Sequence, residues 1–191
     1  MHKPLSGQRL AILVANGFDE TDMTHAQRAL TALGATTRIV STENGLVNSW
    51  VSHGDTGAWG HHFPTDGNVS SVLAADYDGV YVPGGKRSID KMKDAPHVKR
   101  ILRSFFDASK PMVLLGHAVE LLVSCERAKG CTVTGDASCE KTLIDAGALW
   151  TNDTLCMDNA LCTAQSGQAD NPVFTQFAEV FAPQTDYQQA A

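Results

Sequence analysis

Three observations predict an α/β fold, a three-layer α/β/α sandwich around a mostly parallel sheet. Short apolar runs alternate along the whole chain with segments whose apolar residues recur at helical spacing. A strand-helix-strand unit is complete within residues 1–41, and a helical crossover of that kind joins parallel strands, not a hairpin. Three of the runs stop in glycine-rich or acidic turns, "NGFDETD", "VPGGKRS" and "LLGHAVE", which is where open α/β sheets keep their sites, beyond the carboxyl ends of the strands.

Each element follows from its residues. "RLAILVANG" is a buried-type strand ending in a turn, and "TDMTHAQRALTALGA" puts Met23, Ala26, Ala29, Leu30 and Leu33 on one helical face, closed by Gly34. "TTRIVS" is β-branched and reads as the second strand. The Gly-, His- and Asp-rich stretch "LVNSWVSHGDTGAWGHHFPTDGNV" reads as short strands or a hairpin with a loop, and "SSVLAADY" as one or two helical turns. "DGVYVPGG" is a strand stopped by Pro-Gly-Gly. "SIDKMKDAPHVKRILRSFFDASK" is helical, interrupted at Pro96, with Val98, Ile101, Leu102, Phe105 and Phe106 inward. "PMVLL" is the next strand and "HAVELLVSCERA" the next helix, with only Gly116 between them. "CTVTG" is strand-like, "SCEKTLIDAGA" helical, "LWTNDTLCMDNALCTA" two short strands around a turn, and "NPVFTQFAEVF" a closing helix.

Composition narrows the function classes. The 191 residues suit one domain with a full-sized core, and no repeat, linker or low-complexity block divides them. Residues 1–191 therefore read as a single domain with flexible ends at 1–7 and 183–191. A net charge of -6 with no Lys/Arg cluster argues against nucleic acid as a partner. Apolar runs of about five residues fall far short of a membrane span. The start "MHKPLSGQR" has no apolar signal region, so a cytoplasmic protein is the expectation. The five cysteines, Cys125, Cys131, Cys139, Cys156 and Cys162, form no CxxC pair and read as reduced, mostly packed thiols. No cofactor and no metal is expected.

The three turns, in this order, resemble the ThiJ/PfpI superfamily of class I glutamine amidotransferase-like proteins, over nearly the whole chain. "ANGFDETDM" looks like that family's acidic turn after its first strand. "WVSHGDTGAWGHHFPTD" looks like its connecting segment, "DYDGVYVPGGKRSIDKMK" is close to its "DYDALVLPGG" segment, and "LIDAGALW" with "LCTA" resembles its later segments. The resemblance implies a flavodoxin-like sheet. It also implies a nucleophile elbow reading A-I-C-H-G-P where this chain reads "LLGHAV", so Gly116 stands at the family's cysteine and His117 at the histidine that follows it. The acid partner falls on Asp22, and Asp90 matches an acidic position that in some members orients the histidine across a dimer interface. Gly84 and Gly85 match a doublet whose backbone approaches the site.

What these residues do is left open by the sequence. Glycine adopts the strained angles of an elbow with little steric cost, so Gly116 keeps the turn without a reactive atom; it is then a bare turn residue, the floor of an anion or small-molecule pocket, or part of a site that works another way. His117 makes a structural or ligand hydrogen bond, or acts as a general base on water. Asp22 binds water or a ligand, or caps the helix that begins there. Cys139 is a packing residue or a relocated thiol. His53, His61 and His62, with Asp55 and Asp66, form a surface loop or, less simply, a metal site.

The function expected from all this is a non-catalytic homodimer with a vestigial small-molecule or anion pocket at Asp22, Gly84, Gly85, Gly116 and His117, in a regulatory, structural or stress-related role. The alternative is a family-type hydrolase, glyoxalase-like lyase or deglycase using His117 and Asp22, or a displaced thiol. Gly116→Cys is expected to fold and to give a thiol of depressed pKa if the elbow geometry is kept.

Overall fold

The computed structural model describes residues 3–53, 56–167 and 173–182. In chain order the first elements are β1 (Arg9–Val14), β2 (Phe18–Asp19), α1 (Glu20–Ala32), β3 (Thr36–Ser41), β4 (Leu46–His53), β5 (Thr56–Pro64) and β6 (Gly67–Asn68). Then come β7 (Gly79–Val82), α2 (Lys86–Met92), α3 (Pro96–Asp107), β8 (Met112–Leu115), α4 (Leu121–Ser124) and β9 (Thr132–Val133). The chain continues with α5 (Glu140–Asp145), β10 (Leu149–Trp150), β11 (Leu155–Asp158), β12 (Leu161–Ala164) and α6 (Val173–Phe181).

The main sheet has seven strands in the order β11-β12-β8-β7-β1-β3-β6. Every neighbouring pair is parallel except β11 with β12. The central strands β7, β8 and β12 are buried along their whole length, and β1 at all but its first residue, as strands covered on both faces must be. Alternate residues serve opposite faces. Leu10, Ile12, Val14, Tyr81, Val113 and Leu115 join the core under α1 and α6, with Met23, Ala26, Leu30 and Phe181. Leu13, Val80, Val82 and Leu114 join the other core with Ile89, Met92, Val98, Ile101, Leu102 and Phe105 of α2 and α3. Sheet between two helical layers is the sandwich that the sequence predicts.

The details depart from expectation in the helix after Gly116 and at the N-terminal end, while the other two ambiguous stretches take one of the forms expected for them. The helix expected over 117–128 is a 3-10 turn, Gly116–Glu120, followed by the single α-turn of α4. "SSVLAADY" yields one 3-10 turn, Ala74–Asp76. The His-rich stretch is a twisted antiparallel hairpin, β4 with β5, joined through β4 to β2. Within the expected flexible N-terminal end, Leu5 is fully buried and its N–H donates to the Leu33 carbonyl at 3.0 Å. The expected end at 183–191 lies outside the described residues.

Candidate functional site

Because β12, β8, β7 and β1 are consecutive in the sheet and parallel, the loops that follow them open side by side at one edge. Those loops are 165–167, the turn at Gly116, 83–85 and 15–22. Three of them are the turns singled out by sequence. The fourth, after "LCTA", was not.

Asp22 lies on the first turn of α1 and is 1 % exposed. It does not cap the helix; Asp19 does, accepting from the Asp22 N–H at 2.9 Å. The Asp22 carboxyl turns inward instead. It accepts from the Gly84 N–H at 3.1 Å and from the Gly167 N–H at 3.2 Å, and the Ser166 hydroxyl lies beside it across the space at Gly84. Beneath it, the Tyr81 hydroxyl donates to the Asp22 carbonyl at 2.8 Å. Burial and the neighbouring Asp19 charge raise the Asp22 pKa to about 6, against the pull of Gly167, Ser166 and Gly84. A carboxyl tuned into that range sits near the working pH of a general base.

The glycine doublet brings backbone to backbone. A side chain on Gly85 would lie 2.6 Å from the Asp19 nitrogen and 2.7 Å from the Gly17 carbonyl, and its φ of +110° favours glycine in any case. The Asp19 N–H closes the contact by donating to the Gly84 carbonyl at 2.9 Å. A side chain on Gly84 would stand 2.6 Å from Asp22 Oδ2 and overlap Ser166 Oγ.

Gly116 is at the apex of the β8 turn with φ +54°. The space its missing side chain leaves is taken. A Cβ built there overlaps Ser166 Oγ and lies 3.1 Å from Ser166 Cβ. The hydroxyl of Ser166 therefore sits between Gly84 and Gly116, on the side of Gly84 that also faces Asp22 Oδ2. Sequence reasoning missed this residue, although "LCTAQSG" ends a buried-type strand in a Ser-Gly turn and so satisfies the rule that picked out the other three loops.

His117 faces the next turn of the chain. Its Nε2 is 3.3 Å from Ser138 Oγ and 3.6 Å from Asp136 Oδ1, and Ser138 Oγ donates to Asp136 at 2.6 Å. Burial pushes Asp136 up, but two hydrogen bonds from Ser138 and the charges of His117 and Lys86 hold it below the usual carboxylate value. Among the described residues no hydrogen bond joins His117 to Asp22. Cys139 is fully buried and donates to Glu120 Oε1 at 3.4 Å; burial and the Glu120 charge push its thiol up to about 12. The ligating atoms of His117, Asp136 and Cys139 lie within 4.8 Å of one another, but a metal there would have to displace the proton that Cys139 gives to Glu120. Burial also raises Cys125, Cys131, Cys156 and Cys162.

The remaining predicted residues are dispersed. Asp90, on α2, is held by Lys93 at 2.7 Å and Lys86 at 3.1 Å within its own chain, and the Lys93 hydrogen bond is the main reason its pKa is lowered. His61 pairs through Nδ1 with Glu20 Oε1 at 2.7 Å. Asp66 accepts from the Ile39 N–H and pairs with Arg38. His53, His61, His62 and Asp66 thus share no ligand set among the described residues, and Asp55 lies outside those residues. A cleft of about 630 Å³ opens over the site, lined by Trp50, Gly85, Lys86, Arg87, Asp90, His117, Asp136 and Ser166 among others. Another, of about 660 Å³, lies at the opposite end of the strands by Gln8, Asp78 and Pro111, away from the residues predicted from sequence.

The order of these turns, each at the end of its own parallel strand, is matched over residues 8–178 by the family model described as DJ-1/PfpI. This chain belongs to the DJ-1/PfpI family. Among relatives, "Deglycase PfpI" of Pyrococcus furiosus is 24% identical over 150 residues, 78% of this chain and 85% of its own length. Drosophila melanogaster DJ-1beta superposes with a TM-score of 0.78 at 21% identity, covering 92% of this chain and 90% of that one. A two-domain protein from Anabaena variabilis, with DJ-1/ThiJ/PfpI-like and ferritin-like domains, gives 0.76 at 20% identity; 90% of this chain covers 48% of it. These structural likenesses carry the DJ-1/PfpI fold. Among the described residues no helix is long and apolar enough to cross a membrane.

Proposed function

We propose that this family member is a homodimeric pocket protein that binds a small polar or anionic molecule in the elbow cleft, in a regulatory or stress-related role, without thiol chemistry. One observation carries the reading. The apex of the elbow is Gly116, and all five thiols lie elsewhere with their pKa values raised by burial. A thiolate is the reactive form of cysteine, and no cysteine is among the described residues that line the cleft. The cleft itself supports binding: Lys86 and Arg87 stand at its mouth beside the Trp50 ring, over which the Arg87 guanidinium lies at 4.0 Å.

The native protein is expected to react with iodoacetamide at pH 7 at least about tenfold more slowly than free cysteine, and to leave methylglyoxal-modified amines unchanged. Fast stoichiometric alkylation of the native fold, or deglycation above the uncatalysed rate, overturns the proposal. A displaced thiol at Cys139 is disfavoured by the same burial. Catalysis by His117 and Asp22 on one water is disfavoured because His117 Nε2 is turned to Ser138 and Asp136.

The homodimer and its use of Asp90 make a separate prediction. Sedimentation velocity at micromolar concentration should show a dimer, and a monomer there would remove any cross-subunit role for this side chain. Since Asp90 already pairs with Lys86 and Lys93, its contribution across an interface would be as part of that charged group, not as a lone acid.

A further inference from the structure

We propose that Ser166 is an oxygen nucleophile served by Asp22, and that the cleft hydrolyses activated esters of small carboxylic acids. This goes beyond the binding pocket proposed above.

The geometry makes the case. An elbow is a place where a protein holds one reactive atom at the floor of a cleft. Here the residue at the apex has no side chain, and the atom in its place comes from the turn after the neighbouring strand β12. Ser166 Oγ occupies the space that side chains on Gly116 and on Gly84 would fill, so two glycines are what admits it. A hydroxyl is a poor nucleophile until a base takes its proton. The ionisable group beside it is Asp22, whose Oδ2 and the Ser166 Oγ flank the same space at Gly84; this carboxylate is 1 % exposed and fixed by two backbone amides, Gly84 and Gly167. A base so anchored is already oriented before substrate arrives, which is what makes such pairs effective. Ser166 itself is solvent-exposed and lines the open cleft. A buried acid beside an accessible hydroxyl supplies the nucleophile and base of acyl transfer.

The step balances without any co-reactant other than water. Ser166 Oγ attacks the ester carbonyl carbon as its proton passes to Asp22. The bond from carbon to the leaving oxygen breaks, and that oxygen takes the proton from Asp22. Water then attacks the acyl carbon and gives a proton to Asp22. The Oγ–carbon bond breaks, and Oγ recovers the proton. The products are acid and alcohol, and the enzyme is unchanged.

Asp22 must be ionised for this, and its surroundings set when that happens. The titratable groups packed against it are Asp19 from β2, which disfavours its charge, and the buried Tyr81 from β7. The Gly84 and Gly167 amides and the Ser166 hydroxyl favour its charge. Reaction should therefore switch on as pH rises through about 6.

The test uses phenylmethylsulfonyl fluoride on the full chain, read by intact mass and peptide mapping. Oγ–S bond formation with loss of fluoride, the proton leaving through Asp22, should give one adduct on Ser166. Its rate should climb through about pH 6 and then level. Ser166→Ala should abolish the adduct and the hydrolysis of p-nitrophenyl acetate. Asp22→Asn should slow both by at least about 100-fold, in the range that a general base contributes, and flatten the pH profile. Ser166→Cys, which keeps a nucleophile of similar size, should shift labelling to iodoacetamide at position 166. No adduct on Ser166, or ester hydrolysis by folded Ser166→Ala at the parent rate, overturns the proposal; so does an unreactive thiol in Ser166→Cys. Such a failure leaves the absence of native thiol chemistry standing, whereas rapid alkylation of the parent chain overturns that reading without touching Ser166.

Discussion

Gly116→Cys is expected to cost about 2–5 kcal/mol of folding stability, and adding Ser166→Gly is expected to return a large part of it. Two separate terms make up the loss. At φ +54° the backbone of residue 116 is left-handed, which costs a residue with a Cβ about 1–2 kcal/mol. The new side chain also lands on Ser166 Oγ, and overpacking of this kind costs about 1–3 kcal/mol. Only the second term is relieved when Ser166 is shortened. Urea denaturation of the parent, both single variants and the double variant would give a coupling of about 1–3 kcal/mol between positions 116 and 166, as for residues in contact. Losses that simply add would show that Ser166 does not occupy the apex space. The same comparison refines the expectation drawn from sequence: a thiol placed at 116 finds room beside Asp22 only once Ser166 has been cut back.

Asp22 is expected to make the parent protein lose stability, relative to Asp22→Asn, as pH rises from about 4 to 7. The direction follows from proton binding. The folded-state pKa of about 6 lies above the ordinary value of 3.8, so between those values the folded chain holds a proton that the unfolded chain has released. Stability from this group is full below about pH 3.8 and is lost as pH rises through about 6. The raised pKa corresponds to about 3 kcal/mol over the whole window. Denaturant titrations of both proteins at pH 4, 5, 6 and 7 would give the difference. A flat difference, or one that grows with pH, would mean that Asp22 is not held in the environment described.

Much of the fold was legible because it depends on local pattern. The β-α-β opening, the break at Pro96 and the buried strands around "AILV", "VYV" and "VLL" follow from periodicity and from the geometry of proline. The least successful expectation was the helix after Gly116. "HAVELLVSCERA" has helical spacing, yet only Leu121–Ser124 are α-helical, after a 3-10 turn packed against Gly135. Tertiary packing outweighed a propensity worth only tenths of a kcal/mol per residue. The His-rich stretch was ambiguous for a similar reason: whether His61 meets a metal partner or Glu20 depends on where β5 lies against α1, and the structure brings it to Glu20.

By itself the sequence determined the kind of fold, the three glycine-rich or acidic turns at strand ends, and the absence of a side chain at position 116. Those are properties of residues near one another in the chain. The tertiary structure decided what fills the gap at 116. Strand β12 is last among the strands in sequence, yet it lies beside β8 in the sheet, so the turn after it delivers Ser166 to the elbow and Gly167 to Asp22. Strand order is a global outcome of packing two cores on one sheet, and no local spacing encodes it. For that reason the sequence could mark the Ser-Gly turn as a strand-end loop, but that Ser166 fills the gap at Gly116 was decided only when its strand had a neighbour.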